Sequence, residues 1–199
     1  MFVVFVVEGP DYSYLLGLYL GDGCISDTGR TYQLRFFFDA RYPGIVAGCA
    51  AALERVSPNR VSVLPRRGMA CTTVTSSWKL WPLLFPQHGP GKKHTRRIVL
   101  AAWQRDLVDR HRELFLRGLV ESDGCRTINR FRTTLPSGRT REYEYVRYFF
   151  SNLSPDIRGL FCEACEALGV RWTRSNERNI SVSHRDSVAI LEKLVGPKA

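Results

Sequence analysis

Two nine-residue stretches, Leu15–Gly23 and Leu116–Gly124, follow one pattern without a gap: Leu, any residue, Gly, Leu, three variable positions, Asp, Gly. Their aspartates, Asp22 and Asp123, lie 101 residues apart. A pattern repeated at domain-length spacing requires two copies of one structural unit, and this constrains the fold more than any composition figure. Each stretch reads as a helix ending at its glycine. Asp11 and Asp109 stand as N-caps ahead of apolar runs, and Gly23 and Gly124 as the residues that follow the last turn. Small residues recur four apart, Gly17 with Gly21 and Gly118 with Ser122, so each helix carries a flat stripe along which another backbone can approach. Packing stripe against stripe brings Asp22 and Asp123 together, each at the negative end of a helix dipole. For two bare carboxylates that is unfavourable. It makes sense if they hold divalent metal, which neutralises them and activates water against a phosphodiester.

The paired stretches resemble the LAGLIDADG homing endonucleases in their single-chain form, which carries both copies. The resemblance covers nearly the whole chain. It implies that motif position eight, here Asp22 and Asp123, is the metal-binding acid, with the backbone carbonyls of Gly21 and Ser122 sharing an ion, Mg²⁺ or Mn²⁺. Motif position six departs from the family pattern, with Leu20 in one copy and Glu121 in the other. The implied fold is α+β: tandem αββαββα repeats about a pseudo-twofold axis, residues 1–107 with the connector and 108–199, whose two antiparallel sheets form a basic saddle over DNA. Family members also place a basic residue after the third helix of each repeat, near the scissile phosphate. Lys92 in Gly89-Pro90-Gly91-Lys92 and Lys198 in Gly196-Pro197-Lys198 fall there, although Lys92 fits a solvated loop lysine or a plain phosphate contact equally well.

Charge supports a polyanionic partner. The 199 residues hold 29 Lys and Arg against 19 Asp and Glu, a net charge of +10, and arginines spread through the expected strands favour nucleic acid over a membrane surface. Six cysteines without a signal sequence suggest reduced thiols in a cytoplasmic protein. Cys162 and Cys165 form a C-x-x-C within an apolar helical pattern and read as core thiols, since no second pair at zinc-ligand spacing follows. Cys24 and Cys125 each follow a motif glycine, which again marks duplication. Met1 to Val7 is apolar but far too short to span a bilayer, and reads as a strand or packed arm.

Along the first unit, strands are expected at Cys24–Ser26 and Tyr32–Phe38 around Asp27-Thr28-Gly29-Arg30, and Pro43 should open a helix reaching Val56 with Ile45, Val46, Cys49 and Leu53 inward. A second hairpin, Arg60–Pro65 and Ala70–Thr75, turns at Arg66-Arg67-Gly68, and a short helix, Trp78–Phe85, closes the unit. Ile98–Val108 reads as the connector. In the second unit Phe36-Phe37-Phe38 answers to Tyr148-Phe149-Phe150, now offset by 112. The second copy therefore holds 11 extra residues between motif and helix, which lengthen its first hairpin, Arg126–Tyr148 around Pro136-Ser137-Gly138. On that hairpin Arg126, Arg130 and Arg132 share a face by period two, as do Arg139, Arg141 and Arg147. It is the strongest candidate for DNA contact, because two-stranded ribbons fit a major groove where arginine reads guanine and phosphate. Arg30, Tyr32, Arg35, Arg66, Arg67 and Arg174 are further candidates, and Ser187–Leu194 reads as the last helix.

The expected function is a monomeric, metal-dependent, site-specific endonuclease acting on double-stranded DNA. Two alternatives bind nucleic acid without this chemistry: a transcription regulator that keeps the fold but cuts nothing, and an RNA-splicing cofactor (maturase).

Overall fold

The structure, a computed structural model, describes residues 9–198. The apolar run from Met1 to Val7 lies outside them. The chain forms two units of identical element order. The first comprises α1 (Gly9–Asp22), β1 (Gly23–Asp27), β2 (Tyr32–Asp39), α2 (Pro43–Val56), β3 (Val61–Pro65), β4 (Cys71–Ser77) and α3 (Trp81–Leu84). A connector helix, α4 (Ala102–Arg110), leads to α5 (Arg112–Asp123), β5 (Gly124–Thr134), β6 (Thr140–Ser151), α6 (Pro155–Ala167), β7 (Thr173–Arg174), β8 (Asn179–Val182) and α7 (Arg185–Leu194). Each unit contributes a four-stranded antiparallel sheet, ordered β1-β2-β4-β3 and β5-β6-β8-β7.

α1 and α5 form the centre, and their glycines permit it. A Cβ on Gly17 would lie 2.8 Å from the Leu119 nitrogen, and one on Gly118 2.9 Å from the Leu18 nitrogen, so the helices meet backbone to backbone. The rest of α1 is buried almost all round, with Tyr12, Leu15, Leu16, Leu18 and Leu20 inaccessible to solvent. That follows from its position, since it packs on α5 on one side and on the sheet and α2 on the others. Leu34, Phe36 and Phe38 of β2 face this core, as do Tyr148 and Phe150 of β6. In α2, Pro43 stands in the first turn, and Ile45, Val46, Cys49 and Leu53 are all buried. Cys165 of α6 is buried and Cys162 half-buried, and both are free thiols.

The expected caps are placed differently. Asp11 lies inside the first turn of α1, where it pairs with Arg55 at 2.6 Å. Asp109 belongs to the end of α4 and pairs with Arg112 across the break at His111, which precedes α5. Gly23 and Gly124 are not left-handed, since neither has a positive φ. The chain leaves each helix directly into a strand, and a Cβ there would strike the turn below: 2.6 Å from Tyr19 Cα at Gly23, 2.8 Å from Val120 Cα at Gly124. These glycines supply space rather than an unusual backbone angle. α3 is shorter than expected because only Trp81–Leu84 turns helically.

The 11 extra residues lie where the offset places them. β1 and β2 span 5 and 8 residues, whereas β5 and β6 span 11 and 12. Since β8 pairs only with Tyr148–Ser151 of β6, the remainder of the second hairpin is a two-stranded ribbon beyond the sheet.

Candidate active site and nucleic-acid interface

Asp22 and Asp123 end the two packed helices. A Cβ on Gly21 would strike the Ser122 side chain, 2.5 Å from its Cβ, and reach within 3.0 Å of Asp123 Oδ2, so glycine lets the two motif ends meet. Burial raises the pKa of Asp22 to about 6, and the negative charge of Asp123 adds to that rise while Lys198 and Lys93 oppose it. Asp123 is also raised by burial, but the Asn152 side chain holds it down. Asn152 Nδ2 donates to Asp123 Oδ2 at 2.5 Å. Asn152 is fixed in turn, since its Oδ1 accepts from the Ser154 backbone N–H and its carbonyl from Arg158. By the 112-residue offset its counterpart is Ala40, which has no donor, so the two carboxylates are held differently.

Two lysines complete the cluster. Lys93 Nζ donates to the carbonyl oxygens of Tyr19 and Gly21, the latter at 2.8 Å. Lys198 Nζ donates to that of Ser122 at 3.2 Å. Gly21 and Ser122 both occupy position seven of their motifs, so the ammonium groups are equivalent. Burial lowers the pKa of Lys93 to about 8 against the pull of Asp123 and Asp22, and it lowers that of Lys198 too. Lys92, the residue singled out by sequence, is exposed. The loop geometry turns the two neighbours in different directions. Gly91 turns with φ +74°, Lys93 begins a 3-10 turn, and Arg96 closes the loop by donating to the carbonyls of Gln87, Pro90 and Gly91.

On the other side, Arg126 donates to Glu192 of α7 at 2.8 Å, and Tyr148 donates to Glu192 and to the Gly196 carbonyl. Arg126 thus fixes the tail that carries Lys198. Glu121, at motif position six, points away from the acids: it is buried, accepts from Tyr14 of α1 and pairs with Arg117 at 2.7 Å.

Strand register sorts the other arginines. Facing pairs Arg126 with Tyr148, Arg130 with Glu144 and Arg132 with Glu142 lie on the face that carries Phe150 into the core. Arg130 and Arg132 are ion-paired to those glutamates. Arg141 and Arg147, opposite Thr133 and Thr127, lie on the other, open face. The two arginine rows of the ribbon are therefore on opposite sides. Arg139 stands in the turn between them, which Gly138 closes with φ +75°.

Arg147 donates to Ser181 and lies over the Phe149 ring at 4.6 Å. In the first sheet Arg35 repeats this on the open face, donating to Ser26 and lying over Phe37 at 5.8 Å. The 112-residue offset makes Arg35 and Arg147 counterparts. Arg35 Nε and Thr73 Oγ1, both on this side, have no hydrogen-bond partner. Arg66 also folds over Phe37. Arg30 and Arg67 are exposed at turns. Tyr32 packs on the core side against His88, and Arg174, opposite Ile180, is on the core side of an outer strand.

The fold has known counterparts. It is that of the LAGLIDADG endonucleases and of WhiA. The LAGLIDADG meganuclease I-AabMI bound to uncleaved DNA superposes with a TM-score of 0.55 at 11% identity, covering 92% of this chain and 83% of that one. I-DmoI in complex with DNA and Mn gives 0.56 at 15%, covering 96% and 99%. Full-length DUF199/WhiA from Thermatoga maritima gives 0.55 at 14%, with 98% of this chain matched to 58% of that one. No protein-family model and no curated protein sequence matches the chain.

Among the described residues no group of three or more His, Cys, Asp or Glu side chains gathers as a metal site. The oxygen donors at the two motif ends are the carboxylates of Asp22 and Asp123 and the carbonyls of Gly21 and Ser122. Each carbonyl already holds an ammonium group, so the oxygens are aimed at positive charge, and hard oxygen donors of this kind suit Mg²⁺ or Mn²⁺. No helix is long and apolar enough to cross a membrane among the described residues.

Proposed function

We propose that this chain is a metal-dependent endonuclease that cuts double-stranded DNA at a specific site, one strand with each motif acid. The observation that carries this reading is the cluster itself. Two half-buried carboxylates lie at neighbouring negative helix ends, each near lysines that only partly offset the cost of its charge, and a divalent cation would offset the rest.

Asp22 and Asp123, with the carbonyls of Gly21 and Ser122, would hold the ions. A divalent ion there supplies Lewis-acid activation of water and neutralises charge on the phosphate. Asn152 keeps the Asp123 carboxylate oriented and opposes the rise in its pKa. Lys93 and Lys198 place positive charge where the non-bridging phosphate oxygens gather charge as water attacks phosphorus in line. Within this reading Lys93 takes the role that sequence assigned to Lys92.

Duplex DNA lies across the open faces of both sheets. Arg35, Arg66, Arg141 and Arg147 contact phosphates or base edges from those faces, and Arg30, Arg67 and Arg139 do so from the turns. Arg126, Arg130, Arg132, Arg174 and Tyr32 contribute to the frame. Incubating the protein with a randomised duplex library in Mg²⁺ and sequencing the cut ends tests the proposal: one recurrent cut site is expected. Uncut DNA throughout, with the library otherwise bound, contradicts it.

A further inference from the structure

The open face of the long ribbon changes character half-way along. Close to the sheet it carries Thr127 opposite Arg147, and near its tip Thr133 opposite Arg141. Between them stand Asn129 opposite Tyr145 and Phe131 opposite Tyr143, with no charged residue. The Phe131 and Tyr143 rings stack at 5.1 Å and 14°, and Tyr145 meets Phe131 edge-on at 6.1 Å. Asn129 Nδ2 donates to the Tyr145 hydroxyl at 2.7 Å, which ties these two side chains together across the ribbon. Phe131 is 45% and Tyr143 38% exposed.

We infer that this ring cluster is a surface that reads pyrimidine C5-methyl groups, those of thymine, in the major groove of the DNA half-site bound by the second unit. The inference rests on the duplex-binding reading above. A groove-bound ribbon that reads guanine needs free arginine, but Arg130 and Arg132 are turned to the other face and neutralised by Glu144 and Glu142. The face left toward the groove offers apolar ring edges, and the apolar feature of a base pair in the major groove is the thymine methyl. Arg147 and Arg141 bracket the rings at either end, which suits phosphate contacts that hold the ribbon in register. Distance gives the position. Phe131 lies eight residues beyond Asp123, roughly 27 Å along an extended strand, or roughly eight base pairs from the cut centre.

The test uses the duplex that the protein selects from a randomised library in Ca²⁺, and a second copy with thymine replaced by deoxyuridine at the selected outer positions. Only the methyl groups differ. The unaltered protein should bind the deoxyuridine copy about four-fold more weakly per contacted methyl. A Phe131→Val, Tyr143→Val double variant, which keeps β-branched residues on the strands, should bind both copies alike. Equal binding of both copies by the unaltered protein overturns the inference, and needs no variant to fold. A variant that still discriminates also overturns it, since the rings would then serve only the hairpin. Tighter binding to single strands than to the duplex, abolished in the variant, would replace methyl reading with base stacking. If the unaltered protein selects no duplex at all, the nuclease reading falls too; selection without methyl dependence sinks this inference alone.

Discussion

Lys93 and Lys198 stand at equivalent places in the two halves, each donating to the carbonyl oxygen of motif position seven, Gly21 in one helix and Ser122 in the other. They reach it differently. Lys93 comes from an internal loop closed by Arg96, and Lys198 from a tail after α7 braced by Glu192, Tyr148 and Arg126. Both segments follow the third helix of their repeat, and the contacts that brace them differ.

Replacing Lys93 with Met, which keeps the stem and removes the charge, should lower the cleavage rate on one strand by about a hundred-fold with little change in DNA affinity. Lys92→Met should stay within about two-fold of the parent. Strand-resolved single-turnover kinetics make the comparison. Equal losses from both variants would return the role to the loop's general charge.

The acids make a pH-dependent prediction in EDTA. An ordinary aspartate titrates near 3.8, whereas the folded-state pKa of Asp22 is about 6. Between those values the folded state binds the extra proton, so this group's contribution to stability falls as pH rises through the window. Lys93 is protonated in both states there, since its lowered pKa is still about 8. Asp22→Asn should therefore match the parent in unfolding free energy near pH 4 and exceed it at pH 7 by on the order of 2 kcal/mol. Added Mg²⁺ should shrink the difference. A difference that does not grow with pH would show that the carboxylate is not strained.

The meeting of α1 and α5 leaves no room for a methyl group. Gly118→Ala places a Cβ against the Tyr14 carbonyl and the Leu18 nitrogen, so the helices must part, at a cost of about 3 kcal/mol. Gly159→Ala, where nothing lies within 4 Å of the new atom, is the control and should not destabilise. Urea midpoints decide.

Arginine position should outweigh arginine number. Arg35→Gln with Arg147→Gln removes the symmetric pair on the open faces. Duplex binding should weaken, and the salt slope should fall by roughly one for each phosphate no longer neutralised. Arg130→Gln with Arg132→Gln removes groups already paired to Glu144 and Glu142, and should change affinity little. The reverse order would place DNA on the other face of the ribbon.

Much of this architecture was legible in the chain because duplication leaves two offsets. The 101-residue spacing located both motif helices, and the change to 112 located the lengthened hairpin where β5 and β6 are long. Which face of that hairpin looks outward was not legible. Its residues are polar or exposed on both sides away from Tyr148 and Phe150, so a period of two fixes alternation without fixing direction. Lys92 and Lys93 are adjacent and chemically identical, and only the turn at Gly91 and the clamp from Arg96 separate them. Asn152 sits in a loop, where no periodicity marks it. Asp11 and Asp109 carry cap chemistry, but α1 starts at Gly9 among the described residues and α4 runs on to Arg110, so each is a surface ion-pair partner instead.

Strand-specific cleavage tests the assignment of Asp22 and Asp123 as the cutting centre. The duplex recovered from the library, labelled on each strand in turn, is mixed with Mg²⁺ and the parent, Asp22→Asn, Asp123→Asn or the double variant. The parent is expected to cut both strands, each single variant to lose double-strand cleavage while still binding, and the double variant to cut neither. Cleavage by the double variant at the parent's rate would contradict it.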